Sequence, residues 1–145
     1  MASSPLTATT RQRYDVPAAL VFDAFTEPAL LTRWFSPSAD VSVEILVHEL
    51  RRRGHYRFRY SQPSGEVSIV TGEFCEISPP TRLIFTWTWE PPDRHAGIET
   101  LVTVDFIADG TGTRVVVTHE RFPDRESRDR HEIGWRATLA RMVTR

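Results

Sequence analysis

Two spacings of apolar residues divide the chain. From Val41 to Arg121 they recur at every second position, the pleat of a strand with one face buried. On either side they recur at three- and four-residue steps, the period of a helix. In the middle stretch Val41, Val43, Ile45 and Val47 alternate with Ser42, Glu44 and Leu46. After a turn at Arg53-Gly54, Tyr56, Phe58 and Tyr60 alternate with Arg57 and Arg59, the clearest half-buried strand in the sequence. Pro63-Ser64-Gly65 predicts a hairpin turn, and the strand from Glu66 to Ile77 contains Gly72, read as a bulge. Past the turn Ser78-Pro79-Pro80-Thr81, one face carries Leu83, Phe85, Trp87 and Trp89, opposite Thr86 and Thr88. Pro91-Pro92-Asp93 starts a longer loop through Gly97. Val102, Val104 and Phe106 alternate with Thr103 and Asp105, Asp109-Gly110-Thr111-Gly112 signals a tight hairpin, and the last strand holds Val115, Val117 and His119.

The flanks read differently. Residues 7–14, rich in Thr and Arg, alternate weakly and predict a first edge strand. Pro17 opens a helical segment in which Val21 and Phe25 stand four apart. Glu27-Pro28 breaks it and starts a second short helix, Ala29 to Phe35, with Leu30, Leu31, Trp34 and Phe35 on one stripe. After Phe122-Pro123, Asp124 is a candidate N-cap, and Trp135, Leu139 and Met142 fall at helical spacing. That helix is expected from Asp124 to about Arg145. The order is therefore strand, two short helices, six consecutive antiparallel strands and one long helix, an α+β domain spanning residues 1–145. A sheet with one apolar face must cover it, and the last helix is the only long apolar stripe available.

Composition narrows the chemistry. Of 145 residues, all 18 basic ones are Arg, so a Schiff-base lysine, a lysine general base and a phosphate-loop lysine are excluded. The net charge of −1 gives no overall field for nucleic acid or an anionic membrane. The short basic run Arg51-Arg52-Arg53 beside Glu49 reads as solvated turn arginines, with docking of an acidic partner as the alternative. Residues 1–5 show no signal peptide, no apolar run approaches the length of a membrane span, and a single cysteine, Cys75, fits a reducing compartment, so a cytoplasmic protein is expected. His48, His55, His95, His119 and His131 show no metal-ligand spacing, and no Gly-x-Ser-x-Gly appears. Neither a metal nor a cofactor is expected.

Several segments together resemble a known family. They are Gly72-Glu73-Phe74-Cys75-Glu76-Ile77-Ser78-Pro79-Pro80-Thr81-Arg82-Leu83-Ile84-Phe85-Thr86-Trp87, Gly112-Thr113-Arg114-Val115-Val116-Val117-Thr118-His119, Gly134-Trp135 followed by Leu139, and Pro28-Ala29-Leu30-Leu31-Thr32-Arg33-Trp34-Phe35. Over about residues 7 to 143 the chain is similar to the bacterial homologues of the heat shock protein 90 ATPase activator C-terminal domain. That family lies within the START-like (SRPBCC), helix-grip superfamily, which also holds polyketide cyclases, hydrophobic-ligand carriers and plant hormone receptors. Such relatives usually carry Gly-Gly where this chain has Arg53-Gly54, and their final helix often runs further than Arg145.

The resemblance implies a cavity between sheet and last helix, and strand parity says which side chains face it. Tyr56, Phe58, Tyr60, Phe85, Trp87, Val102, Val104, Val115, Val117 and His119 point inward from the strands, and Trp34, Phe35, Trp135 and Leu139 join them from the helices. An apolar lining with a few polar groups describes a site for a small hydrophobic ligand, and the competing expectation is that these side chains simply fill the space. His119 is a candidate acid, base or ligand partner, or else a strand-end histidine satisfied by its neighbours. If Tyr56, Tyr60 and His119 converge, they would polarise a carbonyl, as a cyclase or aldol-type enzyme needs. A chaperone partner follows from the resemblance alone, and the eukaryotic activator works with an additional N-terminal domain for which this chain leaves no room. Exposed sheet edges leave a homodimer open.

Overall fold

The computed structural model describes residues 6–142. Seven strands form one antiparallel sheet: β1 (Ala8–Tyr14), β2 (Ser42–His48), β3 (His55–Ser61), β4 (Val67–Ser78), β5 (Arg82–Trp89), β6 (Thr100–Asp109) and β7 (Gly112–Glu120), in the order β1-β7-β6-β5-β4-β3-β2. The six later strands are a simple meander, and β1 adds to the free edge of β7. The helices are α1 (Ala18–Thr26), α2 (Pro28–Trp34) and α3 (Arg125–Arg141). The expected element order is the observed one.

Local chemistry sets the boundaries. Pro17 precedes α1 as its N-cap rather than sitting inside it, while Pro28 occupies the first turn of α2, where its missing N–H costs nothing. The Asp124 carboxylate accepts from the Ser127 N–H at 2.8 Å, which fixes the start of α3. α3 ends at Arg141, with Met142 extended, so it is shorter than the sequence suggests. Residues 143–145, like the signal-peptide reading of residues 1–5, lie outside the described residues. The β6–β7 hairpin closes between Asp109 and Gly112, with Gly110 at φ 65°.

Two details of parity differ from expectation. A register shift between Ile45 and Val47 turns Val47 outward, because the extra residue of a bulge reverses the alternation behind it. Gly72 lies in regular pairing with Tyr56, and the shift in β4 falls at Cys75, between Phe74 and Glu76. Gly72 is there for space: a Cβ would stand 2.1 Å from the Thr86 carbonyl oxygen and 2.4 Å from the Tyr56 ring.

The core is one cluster. Val21, Phe22 and Phe25 of α1 pack toward Phe106 of β6, with edge-to-face rings 5.2 Å apart for Phe22. α3 crosses the concave face and rests on β1 and β7. The Tyr14 hydroxyl donates to the Leu139 carbonyl at 2.6 Å, and burial raises the pKa of that phenol. Near its end, the Arg141 guanidinium donates to the Ser36 carbonyl at 3.1 Å, which ties α3 to the segment after α2. No described helix is long and apolar enough to cross a membrane.

Candidate functional site

Because α3 lies against β1 and β7, it stands off from β3, β4 and β5. A groove of about 300 Å³ opens there. Its inner wall is aromatic: Phe35, Trp87 and Trp135 meet with ring centroids 5.7 Å apart for Phe35–Trp135 and 5.6 Å for Trp87–Trp135. Tyr60 and Trp89, 6.0 Å apart, continue it along the sheet. Gln62 and Ser68 stand at the β3–β4 end, Pro37 and Val41 at the α2 side, and Ile133, Gly134 and Thr138 on the helix.

The arginine and the histidine of this wall are both engaged. Arg130 donates to both carboxylate oxygens of Asp93, at 3.1 and 2.9 Å, and lies over the Trp89 ring at 5.3 Å. Burial opposes the Asp93 charge, yet Arg130 and the His95 N–H hold its pKa below the usual range. His131 accepts the Trp89 indole N–H at Nε2, at 2.8 Å. Its Nδ1 lies 2.7 Å from the Ser127 carbonyl, which can only accept, so Nδ1 carries the proton and the ring is neutral. Burial lowers its pKa to about 4.

His119 repeats this arrangement one layer deeper. Its Nδ1 accepts from the Trp135 indole at 3.0 Å. The Thr100 hydroxyl donates to the Trp87 carbonyl at 2.8 Å, so it accepts from His119 Nε2–H at 2.7 Å. Burial, and then the neighbouring His131, push the His119 pKa well below the ordinary value. The two imidazoles meet edge to face at 5.0 Å.

Of the side chains expected to line a cavity, Phe35, Tyr60, Trp87 and Trp135 line the groove. Tyr56, Phe58 and Phe85 line a second void of about 20 Å³, again with Phe35. Trp34, Val102, Val104, Val117, His119 and Leu139 line neither and are buried in the core. Tyr56 and Tyr60 therefore face different spaces. The Tyr56 hydroxyl donates to the Thr86 carbonyl at 2.5 Å, and both His119 nitrogens are occupied, so the three do not converge on one point. The sequence reading missed Arg130, His131 and Thr138. His131, one turn before Trp135 on the same stripe, carried the signal.

Some polar groups of the wall lack partners. The Trp87 indole N–H is buried and has no hydrogen-bond partner among the described residues. Among the described residues, neither the Tyr60 nor the Thr138 hydroxyl forms a hydrogen bond, although the residues are only 8% and 7% exposed.

A sheet that curls round one C-terminal helix, entered through a strand and two short helices, is the helix-grip, START-like architecture. Within it, the chain belongs to the family described as Activator of Hsp90 ATPase homolog 1-like protein, whose model matches residues 15–145. Protein CV1439 from Chromobacterium violaceum is similar in structure, with a TM-score of 0.86 at 22% identity, over 96% of this chain and 95% of that one. The AHSA1 protein SPO3351 from Silicibacter pomeroyi gives 0.82 at 23%, over 93% of each chain. Protein NE0264 from Nitrosomonas europaea gives 0.77 at 25%, over 94% and 91%. No curated protein matches the sequence.

Proposed function

We propose that this chain binds a small hydrophobic molecule in the groove between sheet and α3. The observation that carries this is the pairing of an aromatic space of about 300 Å³ with a buried donor on its wall, the Trp87 indole N–H, that has no partner among the described residues. Protein interiors close over apolar space and satisfy their donors, so a wall that does neither is shaped for an occupant. No catalytic step is assigned: Arg130 is neutralised by Asp93, and His131 has both nitrogens committed.

The family description names an activator of Hsp90 ATPase. We favour the groove over a chaperone surface because the basic run Arg51-Arg52-Arg53 is an exposed turn, with Arg51 already 3.8 Å from Glu49.

Three of the four Trp residues line the groove, so occupancy has an optical readout. A panel of uncharged aromatic compounds is expected to contain members that alter Trp fluorescence and raise the melting temperature together. Ligand at about 100 times its Kd stabilises by about 2.7 kcal/mol. If no compound changes either signal, the groove is not a binding site.

A further inference from the structure

We infer that the groove selects uncharged, flat aromatic molecules bearing a hydrogen-bond acceptor oxygen, held by the indole N–H of Trp87. This rests on the binding reading above and adds the chemical class.

Charge excludes the ionic alternatives. Arg130 is the one charged residue of the lining, and its guanidinium is forked onto Asp93 and stacked on Trp89. An anion entering the groove would lose its hydration without gaining a free cation, and a cation would have only aromatic faces to attract it, with no carboxylate to neutralise it. His131 supplies no charge either, because its tautomer is fixed by the Trp89 N–H on one side and the Ser127 carbonyl on the other.

Shape selects a flat molecule. The rings of Phe35, Trp87 and Trp135 pack against one another at the inner end and present aromatic surface to the groove, and aromatic pairs add attraction beyond the area they bury.

The polar contact follows from Trp87. The residue is 6% exposed and lines the groove, and its N–H has no acceptor among the described residues. A buried donor left unmade costs more than a hydrogen bond contributes when formed, so the group favours a ligand that brings an acceptor. The other void it touches is about 10 Å³, room for one water at most and none for a ligand, which leaves the groove as the place where a ligand could bring that acceptor. The Tyr60 and Thr138 hydroxyls give the same oxygen, or a second one, further donors.

Three matched probes test the class: 2-acetylnaphthalene, its planar hydrocarbon isostere 2-isopropenylnaphthalene, and the anion 2-naphthoate. Affinities are measured by calorimetry, and the Trp side-chain N–H resonances of the ¹⁵N-labelled protein are followed. The ketone is expected to bind about tenfold more tightly than the alkene, and the anion more weakly than the ketone. The Trp87 indole proton should move downfield with the ketone alone. Trp87→Phe should remove the ketone's advantage while retaining alkene binding. If that variant does not fold, the wild-type indole resonance decides. Equal binding of ketone and alkene, or tightest binding of the anion, overturns the class and leaves groove binding standing. Binding of none of the three overturns both.

Discussion

The Trp89 indole N–H donates to Nε2 of His131, 2.8 Å away, so this imidazole holds its partner only while neutral. Protonation would aim one N–H at another. With burial, this sets the sign of a pH effect. The unfolded histidine takes up its proton near pH 6.5, and the folded one only near pH 4. Between these values the unfolded chain binds more protons. The stabilisation is therefore complete above about pH 6.5 and lost as pH falls toward 4. Its size is on the order of 3 kcal/mol. Urea unfolding at neutral pH and near pH 4.5 should show wild type losing clearly more stability than His131→Gln, which has no titrating group. Parallel losses in the two proteins would remove His131 as the cause.

His119 is expected to matter through its neighbours rather than through chemistry. It is fully buried, and it alone accepts the Trp135 indole while donating to Thr100. His119→Leu keeps the volume but strands the Trp135 N–H. Leaving a buried donor unpaired costs about 1–3 kcal/mol, and lost shape matching adds to it. Equilibrium unfolding at pH 7 should show a loss of about 3 kcal/mol. A loss below about 0.5 kcal/mol would mean that the indole finds another acceptor.

Strand parity made the architecture legible, because Tyr56, Phe58 and Tyr60 alternate with arginines so regularly that only a half-buried strand fits. It failed at Val47 and misassigned the bulge to Gly72 for one reason: a single extra residue reverses the alternation, and nothing local marks where it is inserted. The site was half legible. Parity says that Val102, Val104, Val117 and Leu139 point inward, but whether the inside is filled depends on where α3 rests. It rests on β1 and β7 while α1 covers β6, so those side chains are packed, and the gap opens beside Tyr60, Trp87 and Trp135. Arg130 and Thr138 were missed because neither interrupts an apolar stripe, and their roles come from Asp93 and from the gap itself.

Arg53 holds a left-handed backbone, φ 67°, a region that favours glycine. Its N–H donates to the Phe74 carbonyl at 2.8 Å, so the turn cannot relax without losing a bond. A β-carbon in this region costs about 1–2 kcal/mol, offset in part by the greater freedom glycine gives the unfolded chain. Arg53→Gly is therefore expected to stabilise by about 1 kcal/mol, seen as a higher urea midpoint at unchanged slope. A decrease would show that the arginine side chain contributes a contact worth more than the strain.

Gly134 separates stability from binding. It sits in the middle of α3 on the groove wall, and a Cβ there would meet no atom within 4 Å. Glycine inside a helix costs about 1 kcal/mol relative to alanine, so Gly134→Ala should stabilise by about that amount and leave the groove open. Gly134→Phe keeps only part of the helix gain and places a ring in the space a ligand needs. Its melting temperature should stay close to that of wild type, while affinity for any groove-binding aromatic compound falls by at least about tenfold. A phenylalanine variant that folds and binds as wild type does would place the ligand elsewhere. A helix that tolerates both changes while only the larger one abolishes binding is what a preformed groove requires, and a solidly packed interface would lose stability with each.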